Sequence, residues 1–269
     1  MVHDLRVRRW QMGYGVAALN TLASLVEEIP SGGSILEYGQ QRIEQGTSRD
    51  AVLDCLRSVW QNDEAAQGAM QRFSGHGPWY VSELFRDTQF HYCCLDVYGG
   101  EFNIVADLNT FSVPLADRGR FDLITNFGTT EHVADQINAF RVMHDYAKPG
   151  ARMIHAVPFT GYFNHGLFNY SPLFFVLLAT ANEYQIDYLG LSPPAFAYTI
   201  PQMDGVHGCA SWRGRVIDSG DIGCVLRKVS DQPFRLFTDV DRAVVSGIEL
   251  SPPWDEMLKQ RHELRVQTS

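Results

Sequence analysis

Ser34-Ile35-Leu36-Glu37-Tyr38-Gly39-Gln40-Gln41 is the stretch that decides the fold. An apolar pair runs into an acid, and a glycine follows shortly after. Parallel strands buried on both faces read as short apolar runs, and their C-terminal ends open onto a ligand crevice. Gly39 has no Cβ, so the backbone can turn sharply there and a ligand can approach closely. Two further strand-then-acid segments lie downstream, His91–Asp96 and Phe102–Asp107. Another apolar run, Phe121–Asn126, continues into Phe127-Gly128-Thr129-Thr130-Glu131-His132.

Taken together, these segments resemble a class I S-adenosylmethionine (SAM) methyltransferase. LEYGQQ at 36–41 is similar to the family's first motif in its acid and first glycine. Asp96 falls where the family's second-strand acid binds the ribose hydroxyls, and Asp107-Leu108-Asn109 where a third-strand acid meets the adenine. FDLITNFGTTEHV at 121–133 resembles the fourth-strand segment, and KPGARMIHAVPF at 148–159 the turn and fifth strand. NHGLFNYSPLFF at 164–175 looks like a subgroup from polysaccharide and small-molecule pathways. The resemblance spans residues 30 to 230. It implies a Rossmann-like α/β fold with a seven-stranded, mainly parallel sheet, helices on both faces, and SAM as cofactor.

Composition sets outer bounds. The chain has 269 residues, 45% hydrophobic and 20% charged, which suits one globular domain with ample core. Its formal net charge of −9 argues against nucleic-acid binding, which needs Lys and Arg to neutralise phosphates. Arg6, Arg8 and Arg9 form a short basic cluster that reads as a solvated terminal segment. Five cysteines, Cys55, Cys93, Cys94, Cys209 and Cys224, show no metal-finger spacing and read as reduced thiols of a cytoplasmic protein. Cys93 and Cys94 are adjacent on an expected strand, so they should face opposite ways. The basic start lacks an apolar signal region, and the longest apolar run, Leu173–Ala179, is far too short to span a bilayer. A soluble protein without membrane partner is expected, with a homodimer compatible with the sequence.

Periodicity fills in the rest. Val16, Leu19, Leu22 and Leu25 predict a helix over 12–29, stopped by Pro30 and Gly32-Gly33. In Rossmann-like units the second acid follows the glycine turn by about 20 residues. Here Asp96 comes much later, so residues 40–88 read as an inserted helical element. Ser48–Met70 is expected to be one helix with Ser48 as its N-cap, Ser74–Pro78 a break, and Val81–Phe85 a second short helix. Leaving directly from the Gly39 turn, the insert reads either as a lid over the cofactor or as an elongated crossover. Helices are expected at Asp135–Tyr146 and Pro172–Ala181, and strands at Met153–Val157, Ile186–Leu189 and Cys224–Val229. The loop 191–222 carries no readable role, and Asp255–Arg265 reads as an amphipathic helix.

The candidate cofactor-binding residues are Glu37, Gly39, Gln40, Asp96, Val97, Asp107, Leu108, Asn126, Phe127 and Gly128. Acids at successive strand ends suit vicinal hydroxyls, and Asn126 and Gly128 can offer backbone to the cofactor's amino acid end. A helix cap or turn residue is the alternative for each acid. His165 and His132 are the catalytic candidates, because methyl transfer to oxygen needs alignment and a base near neutral pKa. Glu131-His132 with a third group could ligate a metal, but the ordinary reading packs His132 under the methionine moiety or caps a helix, and no metal is expected. His155 should point into the sheet, and His76 is the runner-up base. The expected activity is methyl transfer from SAM to a hydroxyl of a small molecule or sugar. A non-catalytic SAM-binding scaffold is the second reading. An NAD-dependent oxidoreductase is the third, weakened by Gln40 and Gln41 where pyrophosphate-binding glycines belong.

Overall fold

A computed structural model describes residues 13–75, 78–162, 164–192, 211–212, 215–216 and 220–238. In chain order the elements are α1 (Val16–Val26), β1 (Ser34–Tyr38), α2 (Arg49–Trp60), α3 (Asp63–Ala69), α4 (Ser82–Phe85), β2 (His91–Asp96), β3 (Asn103–Val105) and β4 (Phe121–Phe127). There follow α5 (Gln136–Tyr146), β5 (Ala147–Thr160), α6 (Pro172–Ala181), β6 (Gln185–Ser192), the short pair β7 (Ser211–Trp212) and β8 (Arg215–Val216), and β9 (Gly220–Arg227).

Seven strands form one sheet in the order β3-β2-β1-β4-β5-β9-β6. β1 lies parallel to β2 and β4, and β4 parallel to β5, while β9 runs antiparallel between β5 and β6. The chain winds outward from β1 in one direction and from β4 in the other. The topological switch point, where open α/β sheets bind ligands, therefore lies at the C-terminal ends of β1 and β4.

Strand alternation sends side chains to two cores. Leu36, Tyr38, Ile124 and Met153 face one cluster with Phe140, Val142, Phe175 and Leu178 of α5 and α6. Ile35, Leu123, Phe127 and Ile154 face the other, with Leu19 and Leu22 of α1 and Val52, Leu56 and Leu84 of the 40–88 segment. Cys93 packs against the first cluster and Cys94 belongs to the second, as adjacent strand residues should. The helices of 40–88 thus line one face of the sheet. α2 buries Val52, Cys55, Leu56 and Val59, a helical stripe whose large aliphatic side chains each contribute roughly 1.5–3 kcal/mol of burial.

Several expected boundaries shift. The Ser48–Met70 helix is broken in two: Gln61 adopts a left-handed conformation at φ 52°, and Asn62 caps α3 by accepting from the Ala65 amide. Polar Gln61-Asn62-Asp63 interrupts the apolar stripe, and an asparagine side chain competes for backbone donors. Ser48 caps α2 as expected, accepting from the Ala51 amide. β5 begins at Ala147, earlier than Met153, because the Pro149-Gly150 turn is drawn into pairing. Ala147 pairs with Phe121, and the Gly150 amide donates to the Lys228 carbonyl. β9 spans Gly220–Arg227 rather than beginning at Cys224. Arg6, Arg8, Arg9, His76, Cys209, most of the 191–222 loop and the Asp255–Arg265 helix lie outside the described residues.

Candidate active site

The Gly39 turn is the first part of the site. Gly39 has φ +69°, and a Cβ added there would stand 2.6 Å from Thr129 Oγ1. Both observations demand glycine, since left-handed backbone and absent space exclude a side chain. Thr129 holds the turn from the β4 side: its hydroxyl donates to the Tyr38 carbonyl at 2.6 Å and accepts from Gln41 Nε2 at 2.9 Å. Asp96, at the end of β2, holds it from the other side. Its Oδ2 accepts from the Gln40 amide at 2.8 Å, and its Oδ1 accepts from the Tyr98 amide at 2.9 Å. Val97 and Tyr98 stand exposed just beyond, at 58% and 77%.

Glu37 faces inward. It is 1% exposed, and its Oε2 accepts from the Gln41 amide at 3.0 Å and the Tyr92 hydroxyl at 2.6 Å. Burial raises its carboxyl to about 8 despite those bonds. It shapes the turn from beneath. Asp107, beyond β3, is exposed and accepts from the Asn109 amide and side chain. Leu108 is buried beside it, and its carbonyl accepts from Asn138 Nδ2.

The segment after β4 is tightly built. Asn126 is fully buried, and its Nδ2 donates to Thr130 Oγ1 at 2.8 Å while its Oδ1 accepts from the Thr129 and Thr130 amides. Its side chain is thereby committed to shaping the turn. Phe127 is buried against Tyr14, their ring centroids 4.3 Å apart, and Gly128 adopts φ +78°. His155 lies fully buried between Phe140 and Phe175, within 3.2 Å of Asn126 Nδ2, and burial pushes its pKa down to about 3. It belongs to the core, as its place in the fifth strand implied.

Glu131, His132 and His165 converge beside this turn. Glu131 is fully buried, and its Oε1 lies 3.6 Å from His165 Nε2 and 3.9 Å from His132 Nε2. The loop after β5 is docked onto Glu131 through backbone, with the Leu167 amide donating to the Glu131 carbonyl at 2.8 Å. Gly166 permits that approach, since a Cβ there would meet Glu131 Cγ at 2.8 Å. Burial, with Asp221 adding repulsion, raises the Glu131 carboxyl to about 8. Asp221, at the start of β9, is raised to about 6 by burial, partly offset by a bond from the Tyr162 hydroxyl. Both imidazoles are pushed down by desolvation, and His132 also by His165. Neutral imidazoles can accept a proton or bind a cation.

The structure therefore sets Gly39, Gln40 and Asp96 side by side, and Glu131 with His132 and His165, all at the strand-end edge of the sheet. Thr129, Thr130, Gly166, Tyr162 and Asp221 escaped sequence reasoning. None carries a local mark of its contacts, because their partners are distant in sequence.

Residues 74–187 match a family model described as a methyltransferase domain. With the sheet order, this bears out the resemblance to class I SAM-dependent methyltransferases, and SAM is the cofactor that class uses. No curated protein matches the chain in sequence. Among solved structures, the chain is similar to 1,6-didemethyltoxoflavin-N1-methyltransferase of Burkholderia thailandensis, at 12% identity and TM-score 0.43 over 80% of this chain and 79% of that one. It is also similar to a SAM-dependent methyltransferase of Aquifex aeolicus, at 10% identity and TM-score 0.37 over 80% and 99%. A 16S rRNA (adenine(1408)-N(1))-methyltransferase of Catenulisporales acidiphilia gives 11% and 0.37 over 79% and 94%. Likenesses this distant carry no argument about substrate. Among the described residues, no helix is long and apolar enough to cross a membrane.

Proposed function

We propose that the chain transfers the methyl group of SAM to a hydroxyl oxygen of a small molecule or sugar. One observation carries the reading: the loop after β5, docked on Glu131, brings His165 to the strand-end edge that carries the Gly39 turn and Asp96. Gly39, Gln40, Asp96, Val97, Asp107, Leu108 and Gly128 form the cofactor side, with Glu37, Asn126 and Phe127 supporting their turns from within. His165 and His132 form the acceptor side.

The acceptor oxygen attacks the methyl carbon, the carbon–sulfur bond breaks, and its electron pair returns to sulfur. The hydroxyl proton must leave as the ether forms. An amine acceptor with a free lone pair has less need of a base, so histidines and a buried carboxylate beside the site favour oxygen. Acidic groups crowd this edge, with Asp221 helping to raise the carboxyls of both Glu131 and Glu44, a setting that disfavours phosphodiesters and suits a neutral acceptor.

The test is methyl incorporation from methyl-labelled SAM across matched hydroxyl and amine acceptors. His165→Ala should bind S-adenosylhomocysteine (SAH) almost normally and lose about 10²–10⁴ in turnover, the worth of a positioned acid–base group. Incorporation into amines alone, or near-normal turnover in a folded His165→Ala, overturns the reading.

A further inference from the structure

We propose that Glu131, His132 and His165 hold a divalent transition-metal ion, with coordination positions left open for the acceptor's oxygen. Among the described residues these three are the group whose ligand atoms gather as a cation requires, all within 4.8 Å of one another. A carboxylate with two imidazoles is a donor set for first-row cations such as Zn²⁺, Fe²⁺ or Mn²⁺, at bonds of about 2.0–2.2 Å. Ligands at that radius stand roughly 3–3.5 Å apart around a tetrahedral or octahedral centre. Here Glu131 lies 3.6 Å and 3.9 Å from the two imidazoles and all three ligand atoms lie within 4.8 Å of one another, so the side chains must draw together to close on a cation.

A second observation points to the same occupant. Glu131 is fully buried, yet no other residue donates a hydrogen bond to its carboxylate oxygens, and the His165 Nε2 is likewise buried and unpartnered. A buried polar group without a partner is costly, and a structure keeps such a group where something satisfies it. Among the described residues no lysine or arginine forms an ion pair with Glu131, and at 3.6 Å the His165 ring is too far for a hydrogen bond. One cation between the three would satisfy the Glu131 carboxylate and His165 Nε2 together.

The frame is rigid. Glu131 and His132 sit on the turn pinned by Asn126 and Thr130, and His165 sits on the loop whose Leu167 and Phe168 amides bond to the Glu131 carbonyl. Three protein ligands with open positions is the arrangement of catalytic rather than structural sites. A cation-bound hydroxyl ionises more readily, so the acceptor O–H proton passes to bulk water before the oxygen–methyl bond forms and the sulfur–methyl bond breaks. His165 then serves as ligand and its lone pair is spent. This role at the acceptor rests on the proposed methyl transfer, whereas the cation site does not.

The test begins with metal-free, full-length protein titrated with Zn²⁺, Mn²⁺ and Co²⁺ by calorimetry, the Co²⁺ arm also followed by visible absorption. One-to-one binding is expected, weakened at least tenfold by His132→Ala, by His165→Ala and by Glu131→Gln. Gly166→Ala should also weaken it by displacing the loop. SAH binding and thermal melting of each variant report folding; His132, with a side chain 47% exposed, is the variant safest to fold. Absence of one-to-one binding, or equal binding by wild type and His132→Ala, overturns the site. Turnover should fall on chelation and return with cation. Binding with turnover indifferent to chelation overturns the acceptor role and returns His165 to general base. Cation binding without methylation of any hydroxyl acceptor supports the site and refutes the methylation reading.

Discussion

Asp96→Ala should weaken SAH binding about a hundredfold. An ionised carboxylate offers about four lone-pair sites. In Asp96 two are used, one by the Gln40 amide and one by the Tyr98 amide, which leaves two for the vicinal hydroxyls of a ribose. Hydrogen bonds to charged groups are worth roughly 1.5–3 kcal/mol, so two of them contribute about 3 kcal/mol or more. At 1.4 kcal/mol per factor of ten, the loss is about a hundredfold, and a single surviving bond would still leave about tenfold. Asp96→Asn keeps one acceptor oxygen without the charge and should fall between. Calorimetric titration with SAH measures the loss, and a thermal melt confirms folding. The side chain also holds the Gly39 turn, so the same titrations are run with a ribose-dideoxy analogue of SAH. Against the analogue, Asp96→Ala should cost little. An unchanged dissociation constant for SAH in folded Asp96→Ala refutes the assignment. Equal losses for SAH and analogue would instead reduce Asp96 to a turn-holding residue.

Gly39→Ala combines left-handed strain of about 1–2 kcal/mol with overpacking against Thr129 of about 1–3 kcal/mol, and should lower Tm by roughly 5–10 °C while weakening SAH binding; a variant unchanged in both would contradict the geometry. Glu37 is held protonated by burial, with a folded value of about 8 against the ordinary 4.5. The folded state then binds more protons between those values, so this group's stabilisation is full below pH 4.5 and is lost as pH rises through about 8. Urea unfolding from pH 5 to pH 8 should show a decline to which Glu37 and Glu131 both contribute, and Glu37→Gln should remove its share, on the order of 3 kcal/mol; persistence of the full slope in the variant would assign it elsewhere. If the 40–88 segment closes over the cofactor, proteolysis at Ser74–Pro78 should slow when SAH is added; cleavage indifferent to SAH would leave the segment as packing for the sheet.

The sequence by itself determined the strand–turn–helix alternation, the SAM-binding class of fold and the places of Gly39, Asp96 and Asp107 at strand ends. These are local properties. Apolar runs with an acid or glycine at their end mark buried strands wherever they occur, and two-residue periodicity already assigned Cys93 and Cys94 to opposite faces. Helix stripes were equally legible, although the break at Gln61-Asn62 was lost inside an otherwise continuous pattern. Only the tertiary structure decided which acid is buried and which stands at the sheet edge. Glu37 and Asp96 look alike on the chain, yet one is sealed beneath Tyr92 and the other stands at the rim. Likewise, Glu131 and His165 meet because β5 lies beside β4 and the loop after β5 docks on the turn after β4. Neither residue carries a local mark of that meeting. Periodicity constrains which face a side chain takes, whereas sheet order, register and loop docking are set by packing between segments far apart in sequence. The approach of His165 to Glu131 is one such contact.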